Sequence, residues 1–141
     1  MIDPTCSACR IASGAETPPG GVLHRESGLL VHALLGKSPL RGWLVLTSER
    51  HLRAWPDLDR AALATLGPLA ARVMTAQREA LGAEHVYAFA IGDVVRHFHL
   101  HLVPRYRRDG MRLSWPAKNP AREQLEANAA RLRAALEQAN A

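Results

Sequence analysis

From His97 to Val103 the chain reads His-Phe-His-Leu-His-Leu-Val, an imidazole at every second position with apolar residues between. Successive side chains of a β-strand point to opposite faces. The alternation therefore predicts a half-buried strand with His97, His99 and His101 on one face and Phe98, Leu100 and Leu102 on the other. Two residues of strand advance about 6.6–7 Å, so the three rings form a row rather than a cluster. Such a row can bind several oxygens of one extended ligand, or two neighbours can hold a metal.

The flanking sequence predicts the sheet to which this strand belongs. Short apolar runs at Val22 to His24, Leu29 to Leu34 and Trp43 to Thr47 read as strands. The first two are joined through Glu26-Ser27-Gly28, and an antiparallel meander is the simplest arrangement. Strands resume at His85 to Ile91 and Phe98 to Val103, with a turn at Gly92-Asp93. From Asp57 to Leu81, residues Leu58, Ala62, Leu66, Leu69, Val73 and Ala80 recur at helical spacing behind capping aspartates. Gly67-Pro68 inside this helix is expected to kink or divide it. A terminal helix begins with Asn119 as N-cap and Pro120 at its first position, and presents Leu125, Ala129, Leu132 and Leu136 on one face. Ahead of the first strand, Thr17-Pro18-Pro19-Gly20-Gly21 reads as a loop, and the folded body is expected to begin near Val22.

Composition limits what this body can be. A chain of 141 residues, 48% hydrophobic and 22% charged, is the size and make-up of one globular domain with its own core. No apolar run is long enough to span a membrane. The N-terminus lacks the basic start and apolar stretch of a signal peptide, so a cytoplasmic location is expected, with Cys6 and Cys9 as thiols or metal ligands rather than a disulfide. The net charge of +5 comes mostly from arginine, Lys37 and Lys118 being the lysines. Arg105, Arg107 and Arg108 follow the histidine strand and could bind phosphate or form a solvated loop. No basic stripe with a recognisable nucleic-acid module is present, so neither nucleic acid nor membrane is expected as a partner.

Three chemistries can use the histidine row. As core residues, three imidazoles would each need hydrogen-bond partners for two nitrogens. As metal ligands, two of them would need a carboxylate or a third histidine to complete the set, and after Asp93 the next acids are Asp109, in a turn, and Glu123, on the terminal helix. As a phosphorus-directed site, a neutral imidazole attacks a phosphate while its neighbours bind the oxygens. That chemistry needs one ring nitrogen unprotonated, and a backbone carbonyl bonded to the other nitrogen would fix it so.

The run His97-Phe98-His99-Leu100-His101-Leu102-Val103, followed by Pro104-Arg105-Tyr106, resembles the motif of the histidine triad (HIT) superfamily. The likeness extends from Cys6-Ser7-Ala8-Cys9 through Gly42-Trp43-Leu44-Val45-Leu46-Thr47-Ser48-Glu49-Arg50-His51 to Arg105. It implies an α+β fold: an antiparallel sheet of about five strands with two main helices, one domain over residues 1–141. Residues 1–21 would carry zinc ligands and 119–141 would form the C-terminal helix. The resemblance also implies a homodimer whose sheets join, and a nucleotide hydrolase or nucleotidyl transferase acting at an α-phosphate. In that reading His99 is the nucleophile that forms a nucleotidyl-histidine intermediate, and His101 and Arg105 contact phosphate. Candidate substrates are dinucleoside polyphosphates and nucleoside phosphoramidates. Cys6, Cys9, His51 and His97 would hold zinc, and four protein ligands make such a metal structural.

The chain departs from the family where a nucleoside is recognised. Several relatives carry an aspartate after the second strand that binds ribose hydroxyls, but Val31-His32-Ala33-Leu34-Leu35-Gly36-Lys37 holds no acid. A glycine-glutamine pair before the triad is replaced by Gly92-Asp93, and a leaving-group serine or threonine by Val94. A catalytically silent nucleotide-binding protein and a metal-dependent enzyme using the row as ligands are the two alternatives. His24, His32 and His85 have no motif context and are expected to be ordinary surface or core residues.

Overall fold

The computed structural model describes residues 3–36, 38, 40–106 and 120–139. Asn119, Arg107, Arg108, Asp109, Lys37 and Lys118, each given a place by the sequence, lie outside the described residues. A short helix α1 (Ser7–Ser13) precedes strands β1 (Val22–Glu26), β2 (Leu29–Ala33) and β3 (Leu44–Ser48). Helix α2 (Arg60–Leu81), strands β4 (His85–Phe89) and β5 (His99–Arg105), and helix α3 (Arg122–Gln138) follow. The strands form one antiparallel sheet in the order β1-β2-β3-β5-β4.

The local chemistry accounts for most of these boundaries. Ser27 and Gly28 take positive φ values of 48° and 72°, as a tight two-residue hairpin turn of the I′ type requires, so β1 and β2 pair directly. Helix α2 starts where the Asp59 side chain accepts the Ala62 N–H at 2.9 Å, two residues after the expected Asp57. Gly67-Pro68 does not divide it. Both residues lie on the exposed side, where water can satisfy the carbonyl that proline leaves without a donor. Helix α3 begins at Arg122 behind Ala121, so Pro120 lies just outside it rather than at its first position.

The apolar stripes of α2 and α3 cover one face of the sheet. Leu66, Leu69 and Val73 from α2 and Ala129, Leu132 and Leu136 from α3 join Leu44, Leu46, Phe98, Leu100 and Leu102 in a continuous core. Buried Gln77 of α2 donates to the carbonyls of Gly42 and Leu102, at 2.8 and 2.9 Å, and so pins the helix to β5 and the start of β3. Gly42 has φ +74°, and a Cβ there would stand 2.2 Å from a Leu81 methyl. The close approach at this point requires glycine.

The folded body begins earlier than Val22. Ala8, Cys9 and Ile11 of α1 are buried, and an Arg10–Glu16 pair at 2.8 Å closes the end of the helix. Among the described residues no helix is long and apolar enough to cross a membrane.

Candidate active site

Register decides which side chains share the face opposite the helices. His101 of β5 stands beside Val45 of β3, which stands beside His32 of β2; one step along, His99 is beside Thr47 and Thr47 beside Leu30. The expected division holds in part: Phe98, Leu100 and Leu102 are in the helix-covered core and the rings of His99 and His101 lie 5.0 Å apart on the other side, but His97, expected in the same row, precedes β5. That face opens into a cavity of about 260 Å³. His99, His101, His32, Thr47 and Val45 form its floor, and Ser7, Ala8 and Ile11 of α1 line it too.

His99 and His101 are held in opposite tautomers. His99 Nδ1 lies 2.6 Å from the carbonyl oxygen of His97. A carbonyl only accepts, so Nδ1 carries the hydrogen and donates it, and the lone pair of the neutral ring is left on Nε2. At His101 the wiring is reversed. Trp43 Nε1 donates to His101 Nδ1 at 3.0 Å, which places the hydrogen of this ring on Nε2 and makes that atom a donor. Burial, with a smaller contribution from neighbouring His99 and His32, pushes the His101 pKa down to about 4, so the ring is neutral at pH 7. The face thus offers a nucleophilic nitrogen next to a hydrogen-bond donor.

His97 is not part of this pair. It precedes β5, where the Phe98 N–H bonds the Leu52 carbonyl instead of entering the ladder, and its buried ring turns toward the N-terminal cysteines. Its Nδ1 is 3.5 Å from Cys6 Sγ and 3.6 Å from Cys9 Sγ, and His51 Nδ1 is 3.2 Å from Cys9 Sγ. The four donor atoms lie within 4.8 Å of one another. A tetrahedral zinc with bonds of about 2.3 Å to sulfur and 2.0–2.1 Å to nitrogen leaves sulfur–nitrogen edges of about 3.5 Å, so the residues fit this ion. His97 Nε2 donates to the Ser48 carbonyl at 2.8 Å, which leaves Nδ1 free for a metal and fixes the ring. Burial raises the Cys9 pKa, with the adjacent Cys6 adding to the shift; a cation is what would let this thiol ionise.

Four of the residues expected at a metal, Cys6, Cys9, His51 and His97, are therefore together, and so are His99 and His101. Arg105 is not with them. It ends β5, six residues beyond His99, roughly 20 Å away at the strand rise, and does not line the cavity. Val94 is 94% exposed, whereas Val95 lines the cavity and packs against the cysteines. His24 bonds Glu26 at 3.0 Å and His85 is exposed, as expected of residues without a motif. His32 is different: it is buried and lines the cavity.

The model of the HIT domain family matches residues 26–108. The chain belongs to the HIT domain family. This membership places it among nucleotide-binding proteins, hydrolases and transferases. Solved HIT structures share the fold over nearly the whole chain. A zinc-bound histidine triad family protein from Mycobacterium smegmatis is 28% identical, with a TM-score of 0.75 and 96% of each chain covered. A HIT-like protein involved in cell-cycle regulation from Bartonella henselae is 20% identical, with a TM-score of 0.76 over 94% of this chain and 97% of the other. A hypothetical histidine triad nucleotide-binding protein from Sulfolobus tokodaii gives 20% identity and a TM-score of 0.76 over 94% and 93%. No curated protein matches the chain in sequence.

Proposed function

We propose that this HIT protein is a nucleotide hydrolase or nucleotidyl transferase that cleaves at the α-phosphate through an intermediate on His99. The observation that carries this reading is the opposed wiring of His99 and His101. His99 Nε2 attacks the α-phosphorus in line and forms a nitrogen–phosphorus bond as the bond to the leaving group breaks. The hydrogen on His101 Nε2 faces a phosphate oxygen and stabilises the charge that grows there. Water, or an acceptor alcohol or amine, then displaces the nitrogen and releases the nucleotide. Both rings are oriented before substrate arrives, one by a backbone carbonyl and one by Trp43, so little reorganisation is left for the reaction.

Zinc on Cys6, Cys9, His51 and His97 has a structural part in this reading. It would tie α1 to the loop before β5 and so hold one wall of the cavity in place. The protomers would form a homodimer with joined sheets, and edge strand β4, with Tyr87 exposed, is the edge we assign to the joint. The substrate would be a dinucleoside polyphosphate, a nucleoside phosphoramidate or another nucleotidyl conjugate.

Mass spectrometry tests these assignments together. Native spectra are expected to give a dimer with one zinc per chain, and acid-free quenching with nucleotide substrates is expected to give a nucleotidyl adduct mapped to His99. An adduct on another residue, or hydrolysis undiminished in His99→Gly, would refute the nucleophile. Binding without any turnover would favour a silent nucleotide-binding protein instead.

A further inference from the structure

The cavity floor holds a third imidazole, whose outer nitrogen has no partner among the described residues. His32 lies in the middle of β2 and is 4% exposed. Its Nδ1 is 2.8 Å from the Ala33 carbonyl and donates to it, so the lone pair resides on Nε2. That Nε2 is fully buried and has no hydrogen-bond partner among the described residues, and the same holds for Thr47 Oγ1. Both residues line the cavity that contains His99 and His101. Buried polar atoms nearly always find a partner, so two orphans in one cavity point to a ligand that completes them.

The kind of group is set by chemistry and position. Burial, with smaller effects of His97 and His99, lowers the His32 pKa, so the ring is neutral and does not attract an anion as a cation would. Nε2 needs an uncharged donor. Thr47 is directly beside His99, and His32 is two strands from His101, about 10 Å across the sheet at the usual strand spacing. Thus the two orphan atoms lead away from the phosphorus held at His99 and into a region walled by Ala8, Ile11, Leu34, Leu35 and Val45. The part of a nucleotide that adjoins the phosphate, carries neutral hydroxyls and presents an apolar ring face is the sugar.

We propose that His32 determines sugar specificity: its Nε2 accepts a hydrogen bond from a sugar hydroxyl of the bound nucleotide, with Thr47 Oγ1 as the second contact. This rests on the nucleotide reading above. The site then prefers ribonucleotides to their deoxy counterparts without any carboxylate.

Titration calorimetry of the intact protein with AMP, GMP and their 2′-deoxy and 3′-deoxy counterparts tests it. Wild type is expected to bind the ribonucleotides about fivefold more tightly than at least one deoxy form, the factor that one hydrogen bond of ordinary strength carries. In His32→Leu the ribonucleotide should weaken to the level of that deoxy form, whose own affinity stays the same. Equal affinity of wild type for ribo and both deoxy forms overturns the proposal while leaving nucleotide binding intact. Discrimination that persists in His32→Leu overturns it too, since another residue then reads the sugar. Absence of binding by every nucleotide overturns the proposal and the nucleotide reading together.

Discussion

Replacing Cys9 with serine should lower the melting temperature by about 10 °C and release α1 from the cavity wall. Cys9 is fully buried, and its sulfur forms the 3.2 and 3.6 Å edges to His51 and His97. A serine oxygen is shorter, stays protonated and is not a usual zinc ligand, so the tetrahedron loses a corner. If free zinc stands at about a hundred times its dissociation constant, binding to the folded state adds about 2.7 kcal/mol of stability. A domain of this size shifts by about 4 °C per kcal/mol, which gives the figure of about 10 °C. The local effect should be larger than the global one. α1 has seven residues, whereas an isolated helix needs about 12–15 to be even marginally stable, so its ties to the rest of the fold decide whether it forms. Thermal melts with and without a chelator measure the first effect, and amide hydrogen exchange over Ser7–Ser13 the second. Wild type should respond to the chelator and Cys9→Ser should not, with exchange rising in α1 and unchanged in α2. A wild-type melting temperature indifferent to chelation, or a variant melting with the wild type, would refute the role given to the metal.

Trp43→Phe keeps an aromatic ring against Phe89 but removes the donor to His101 Nδ1. His101 should then populate both tautomers, visible in nitrogen NMR shifts, and turnover should fall roughly fivefold, the factor for about 1 kcal/mol of lost hydrogen bond; an unchanged tautomer would contradict the wiring. Acidification should also destabilise the fold. The pKa of His101 is lowered in the folded state to about 4 from an ordinary value of 6.5, so between these limits the unfolded chain binds more protons. Stability from this group is complete above the unfolded value and declines as pH falls from 6.5 toward about 4, which urea melts can follow; stability that rises on acidification would refute it.

Much of the architecture was legible because it rests on local periodicity. Alternation separated the faces of β5, and the apolar stripe of α3 named Leu125, Ala129, Leu132 and Leu136, all of them buried. Helix α1 was hidden, since seven residues give too short a pattern and its stability comes from contacts distant in sequence. The Cys6 to His97 approach spans 91 positions, and the resemblance to a family, not any local spacing, brought the four ligands together. Arg105 follows His99 closely in sequence, yet it ends β5 six residues on and does not line the cavity, because an extended strand separates sequence neighbours faster than any other regular structure.

The histidines became distinguishable only through what their second nitrogens meet. Sequence gives three imidazoles of equal standing, and face alternation groups them as one row. The carbonyl of His97 leaves the lone pair of His99 on Nε2, the indole of Trp43 makes His101 a donor, and the Ser48 carbonyl leaves His97 Nδ1 free for a metal. Trp43 and Ser48 come from outside the motif, so neither of these two partners could be read from it. The same reasoning explains why the sequence alone gives His32 no functional standing. It belongs to no motif, and its place on the cavity floor follows from a register that runs through Val45 to His101. In this fold a histidine's chemistry is set by the atom behind it and the strand beside it, and a search for further functional imidazoles in such sheets should begin from register rather than from spacing.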